Sequence, residues 1–212
     1  MKLYKYQSFL ESKQDIDFIC KKYRITNYTI NEDGSIDVDG DVNLSGAKLT
    51  KLPLNFRSVS GDFYCSRNQL TSLEGSPQSV GGNFYCSYTQ LTSLKGSPKS
   101  VGGDFDCSYN QLTSLEGGPK SVGGYFDCSY NQLINFNGFM EFWEGNIYFI
   151  GNPVQNILDL FPRDKWCKTI YWINEFEVIQ GTEIILHRLE EVFLELNLDI
   201  PDIINIDNYE II

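Results

Sequence analysis

The chain has 212 residues, 42% of them hydrophobic and 21% charged, with a formal net charge of −11. An acidic chain without a basic stripe is a poor holder of nucleic-acid phosphates, and no run approaches the ~18 apolar residues of a membrane span. The acid is unevenly placed: residues 137–212 hold 14 acidic and 4 basic side chains, whereas 1–37 hold 6 of each and 38–136 hold 8 and 7.

The opening residues, MKLYKYQSFLESKQDID, carry charges throughout and lack the apolar core of a secretory signal, so a cytoplasmic protein is expected. Ser8 with Glu11 and Ser12 with Asp15 are overlapping helix-start signals. Ile16, Ile19, Cys20 and Tyr23 then fall on one helical stripe. NYTINEDGSIDVDG alternates around Asp33-Gly34 and reads as a short hairpin, which completes an N-terminal cap over residues 1–37. Ser35-x-Asp37-x-Asp39-Gly40 echoes a calcium loop. Its first ligand would be Ser35, however, and its twelfth position is Gly46 where a bidentate Glu is needed, so no metal is expected there.

From residue 61 to 122 a unit with a 21-residue period is written three times. Cys65, Cys86, Cys107 and Cys128 keep that spacing, as do Leu70, Leu91, Leu112 and Leu133. A fixed period near twenty predicts a solenoid. Phe63 and Cys65, Phe84 and Cys86, Phe105 and Cys107, and Phe126 and Cys128 are two apart, which puts each pair on one face of a strand, pointing inward. The return path, GSPKSVGG, holds a proline and a glycine pair; it cannot be a helix and is expected to be extended or polyproline-like. Val38, Asp41, Val42 and Leu44 fit a first coil, and Gly145, Ile147, Phe149, Asn152, Val154 and Ile157 repeat the register at the far end. About six coils therefore occupy residues 38–157. FNGFMEFWEGNIYF exchanges the proline and glycines for aromatics, as a terminal coil does when it packs against something new.

The full register, x-Phe-x-Cys-Ser-x-Asn-Gln-Leu-Thr-Ser-Leu, is LxLxxNxL with Phe and Cys in the apolar slots of the strand. It resembles the leucine-rich repeat in its short bacterial form. With YTINEDGSIDVDGDVNLSG ahead of the repeats, it most resembles leucine-rich-repeat proteins encoded by large tailed bacteriophages. The resemblance implies an α/β solenoid: a horseshoe with a parallel β-sheet on the concave side, a non-helical convex side and helical caps at both ends. It also implies that the amides of Asn68, Asn110 and Asn131 bond the turning backbone of neighbouring coils. Thr89 interrupts that series and marks an expected weak link.

Beyond the coils, RDKWCKTIYWINEF and TEIILHRLEEVFLEL predict two helices, the second capped by Thr182 with Ile185, Leu189, Val192 and Leu196 on one side. Residues 158–212 are thus expected as an acidic helical C-terminal cap. Cys167 follows Trp166 there, and some effector relatives carry a catalytic cysteine in a large helical ligase domain after their repeats. The 55 residues beyond Ile157 are too few for that domain.

None of the six cysteines forms a CxxC pair, and the four in register occupy slots for a small buried hydrophobe. His187 is the only histidine. No catalytic residue, cofactor or metal is expected.

Strand alternation sends Asp62, Tyr64, Tyr85, Asp104, Asp106, Tyr125, Asp127 and Tyr148 to the concave face. Tyrosine supplies large area and a polar tip at low entropic cost, which suits a binding surface; the bland reading of Tyr88, Tyr109 and Tyr130 is that they stack on each other. The expectation is a monomeric, non-enzymatic protein-interaction module for a bacterial host or defence protein, without direct nucleic-acid or membrane contact. Its rival is an acidic mimic of nucleic acid acting through the C-terminal region.

Overall fold

The computed structural model describes residues 13–139, 142–143, 145–203 and 205–212. Residues 13–22 form helix α1, whose Ile16 and Cys20 are buried and whose Ile19 packs on the same core. The expected capping residues Ser8 and Ser12 lie outside the described residues. An antiparallel hairpin follows, β1 (Tyr28–Ile30) and β2 (Ile36–Val38), with Tyr28 opposite Val38.

From there each coil lays down two short parallel strands. β3 (Val42–Asn43), β5 (Phe63–Tyr64), β7 (Phe84–Tyr85), β9 (Phe105–Asp106), β11 (Phe126–Asp127) and β13 (Ile147–Tyr148) make a six-stranded sheet, here called the phenylalanine sheet. β4 (Phe56–Val59), β6 (Ser79–Val80), β8 (Ser100–Val101), β10 (Ser121–Val122) and β12 (Phe142–Trp143) extend the hairpin into a seven-stranded sheet, the valine sheet. The molecule is a parallel-strand β-solenoid.

At this level one expectation narrows to one of its alternatives and another changes. The return path is extended but not polyproline-like: its Ser-Val dipeptides pair coil to coil, Ser79 with Ser100 and Val80 with Val101. Val38, read as the start of the first coil, belongs instead to β2 and pairs with Val59 in the valine sheet.

Register explains the core. The rings of Phe63, Phe84, Phe105 and Phe126 stack at 5.4, 5.4 and 5.3 Å, all essentially inaccessible, and the four repeat cysteines beside them are fully buried. Burying one such ring contributes about 2–3 kcal/mol, so the column is a main source of coil-to-coil cohesion. Valine side chains of the second sheet complete the interior together with Leu70, Leu91, Leu112 and Leu133, which lie on the third side of the coils, the segments leading from the phenylalanine sheet to the valine sheet.

An asparagine ladder supplies the polar order. Asn131 donates to Cys128 O (2.9 Å) in its own coil and to Cys107 O (3.1 Å) in the previous one, and accepts from Leu112 N–H (2.9 Å). Asn68, Asn110 and Asn152 repeat that arrangement. Thr89 bonds Cys86 O and Asn110 Oδ1. It leaves Leu70 N–H, among the described residues, without the side-chain acceptor that Leu49, Leu91, Leu112 and Leu133 have.

The C-terminal unit is not simply helical. After the short α2 (Gln155–Leu158) come a 3₁₀ turn at Arg163–Lys165, α3 (Trp166–Glu175), α4 (Leu186–Glu195) and a small sheet of β14 (Ile179–Gln180), β15 (Glu183–Ile184) and β16 (Glu210–Ile211). Thr182 does not cap the second helix, because Glu183 and Ile184 are in a strand and Ile185 precedes α4 without a side-chain cap. One continuous apolar cluster runs from Ile16 of α1 to Tyr209 near the end of the chain.

Candidate binding face

The outer surface of the phenylalanine sheet carries all eight residues expected on the concave face. Parallel pairing of Tyr64 with Tyr85, Tyr85 with Asp106, Asp106 with Asp127 and Asp127 with Tyr148 aligns five of them in one column. Asp62, Asp104 and Tyr125 lie one residue before β5, β9 and β11, in the neighbouring column. All eight are half-buried.

The second column is built by the backbone. Asp41 Oδ1 accepts Asp62 N–H (2.8 Å), Asp62 accepts Asn83 N–H (2.7 Å), Asn83 accepts Asp104 N–H (2.7 Å) and Asp104 accepts Tyr125 N–H (2.9 Å). Asp62 and Asp104 therefore have a structural duty that strand alternation alone did not reveal; each directly follows a glycine, Gly61 and Gly103, at the corner between sheets. The backbone bond from Asn83 and the phenol of Tyr64 hold the Asp62 carboxyl below its ordinary value.

Tyrosines bind this ladder to the first column. Tyr64 donates to Asp62 Oδ2 (2.6 Å), an arrangement that raises the phenol to about 12, and Tyr85 reaches Asp104 Oδ2 at 3.4 Å. Rings pair across coils, Tyr64 with Tyr85 at 5.4 Å and Tyr125 edge-on to Tyr148 at 6.1 Å. Burial first, then the Tyr85 hydroxyl, raise the Tyr125 phenol, so it stays neutral across ordinary pH.

Asp106 and Asp127 are more available. Asp106 Oδ1 accepts Ser108 N–H and O–H (2.9 and 2.6 Å) and Asp127 Oδ1 accepts Ser129 N–H (2.9 Å), while the other oxygen of each has no hydrogen bond among the described residues. The ion pairs among those residues are Arg57–Asp37 and Arg188–Glu177, both elsewhere. The face therefore presents adjacent-coil carboxylates, one strand spacing of ~4.8 Å apart, framed by phenols and without a cation of its own.

Other residues singled out in the sequence lie apart from it. Tyr88, Tyr109 and Tyr130 stack at 4.2 and 4.4 Å with their faces occupied by each other. All three are at φ near 53°, in the register where Gly46 and Gly151 also turn left-handed. Asp37 of the calcium-like motif is engaged by Arg57, Ser58 and Asn31. Cys167 is exposed on α3 and His187 exposed on α4, and no group of three or more His, Cys, Asp or Glu fit for a metal ion occurs among the described residues.

Two recessed surfaces were not read from the sequence. One, of about 740 Å³, runs along the valine sheet over Ser58, Ser79, Ser100 and Ser121. The other, of about 750 Å³, lies on the third side of the coils between Glu74 and Lys120. Neither is lined by the eight residues above. No described helix is long and apolar enough to cross a membrane. Comparison with family models, with curated proteins and with solved structures gives no match to this chain.

Proposed function

We propose that this solenoid is a non-enzymatic protein-binding module of the leucine-rich-repeat type, taking a basic or mixed surface of a partner onto the outer face of the phenylalanine sheet. The observation behind it is the unpaired Asp106–Asp127 step framed by Tyr85 and Tyr148. Carboxylates without an internal cation favour a Lys or Arg from outside, and half-buried phenols add area with little entropy to lose. The LxLxxNxL register supports the leucine-rich-repeat reading, with the phenylalanine sheet as the concave side of the horseshoe. The phage likeness supports a viral protein acting on a host or defence protein in the bacterial cytoplasm.

Affinity capture from bacterial lysate tests this. Tyr85→Ala combined with Asp106→Lys and Asp127→Lys should abolish capture, and reversing Glu190, Glu191 and Glu195 to Lys should leave it intact. The rival reading, a nucleic-acid mimic, rests on Glu191 and Glu195 standing exposed one turn apart on α4. Under it the two outcomes exchange and capture falls steeply with salt.

A further inference from the structure

The third side of the solenoid carries charge of the opposite sign to the phenylalanine sheet. Each full repeat turns there through a β-turn with glycine at its third position: Leu73–Ser76, Leu94–Ser97 and Leu115–Gly118 are closed by bonds of 3.0, 2.9 and 3.0 Å, and Gly75, Gly96 and Gly117 have φ of 89°, 91° and 81°. Left-handed backbone at this corner favours glycine, so the sequence places a column without side chains where the surface turns. The recess of about 750 Å³ lies along that column.

What borders the recess is chemically uneven. Lys95, Lys99 and Lys120 line it against one carboxylate, Glu74, in a chain of net charge −11. Lys120 N–H bonds Lys99 O at 2.8 Å, which fixes these two lysines on successive coils, and Lys99 N–H bonds Gln78 O in the same way. None of the three lysines forms an ion pair among the described residues. The hydroxyls of Ser76 and Ser97 are committed to the next coil, donating to Gly96 O and Gly117 O. Ser72 accepts Glu74 N–H (3.0 Å) and so keeps its proton for an outside acceptor.

We infer that this recess is an anion-binding site for a small polyphosphorylated ligand, held by Lys95, Lys99 and Lys120 with Ser72 as an added donor. Two ammonium groups on neighbouring coils repel each other until an anion lies between them. Lysine binds phosphate as a compact point charge with three donors, and a chain of phosphoryl groups carries several charges that lysines on successive coils can engage together. The volume is that of a small-molecule site. The site is independent of the acidic face and stands or falls separately from the proposed protein-binding function.

The test is isothermal titration at low ionic strength with inorganic tripolyphosphate, using the full-length chain. Saturable one-to-one binding should appear with a dissociation constant of roughly 1 mM or tighter. Lys99→Gln with Lys120→Gln should weaken it by about tenfold or more, and Lys168→Gln, on α3, should not. All three lysines are exposed, and unchanged circular dichroism of the variants shows that the fold is intact. Absence of saturable binding, or equal binding by the double variant, overturns the site. Hexaglutamate binding tighter than tripolyphosphate overturns the ligand class and assigns the recess to an acidic protein segment.

Discussion

At the scale of the residue, the ladder of asparagines decides how coils are joined. Each amide serves a carbonyl of its own coil, a carbonyl of the coil before and an N–H of the coil before, all in the interior. Removing one strands buried polar groups, and each costs about 1–3 kcal/mol. Asn131→Ala should therefore lower unfolding stability in urea by about 2–4 kcal/mol. The converse substitution is more informative. Thr89→Asn restores an acceptor for Leu70 N–H and should stabilise by about 1 kcal/mol. A neutral or destabilising result would mean that the Thr89–Asn110 bond (2.5 Å) already compensates for the missing amide.

Between elements, the glycine pairs control how closely successive coils approach at the corner between the sheets. A Cβ on Gly102 would run into the carbonyl oxygen of Gly81, and one on Gly123 into that of Gly102, both main-chain atoms that cannot turn away. Gly102→Ala should cost about 2–4 kcal/mol, read as a drop in thermal midpoint. Gly34→Ala in the hairpin meets nothing within 4 Å and pays only for its φ of 81°, about 1 kcal/mol. The hairpin is tied to the first full coil by Asp37. Bonds from the Arg57 guanidinium, and then from Ser58 and Asn31, hold its carboxyl at about 2 instead of 3.8. A carboxyl depressed on folding stabilises above its unfolded value and loses that contribution as pH falls through its folded one. The difference in urea midpoint between the native chain and Asp37→Asn should thus be full above pH 3.8 and vanish near pH 2. A difference that persists at the acid end would mean that shape, not charge, makes the contact.

For the molecule as a whole, the question is how an open-ended stack is closed. The last coil does not end in solvent: Tyr209 O–H donates to Ile134 O (2.7 Å), Asn174 to Phe136 O (3.3 Å) and Asn156 to Asp207 O (3.1 Å). Phe149, Val154, Ile157 and Leu158 are completely covered in a core shared with α3 and α4. Truncation after Ile157 removes that cover and leaves apolar coil edges able to pair with other chains. The 1–157 fragment should aggregate in light scattering. A soluble fragment with a cooperative melt would show the C-terminal unit to be an appendage rather than a cap.

Much of this architecture was legible in the residues because a repeat states its own register. A 21-residue period and side chains two apart were enough to place Phe63 beside Phe84 in the core and Tyr64 beside Tyr85 on the surface. Periodicity is local information that stacking simply reproduces. The small β14–β15–β16 sheet was not legible: its strands are two residues long, β15 and β16 are far apart in the chain, and Glu183–Ile184 looks like the start of a helix until β16 pairs with it. An extended return path was read from its proline and glycines, but the pairing of its Ser-Val strands was not, since two residues have no pattern until the next coil supplies a partner. The same limit applies to function. Which residues face outward on the phenylalanine sheet was set by alternation. That Asp62 and Asp104 are committed to the backbone of the next coil while Asp106 and Asp127 keep a free oxygen was decided only by the tertiary structure. So was the recess that Lys95, Lys99 and Lys120 border, although the repeat register alone already put these lysines together in the loops of the return path. Hydrogen bonds and charge balance depend on distances between coils, which no single repeat contains.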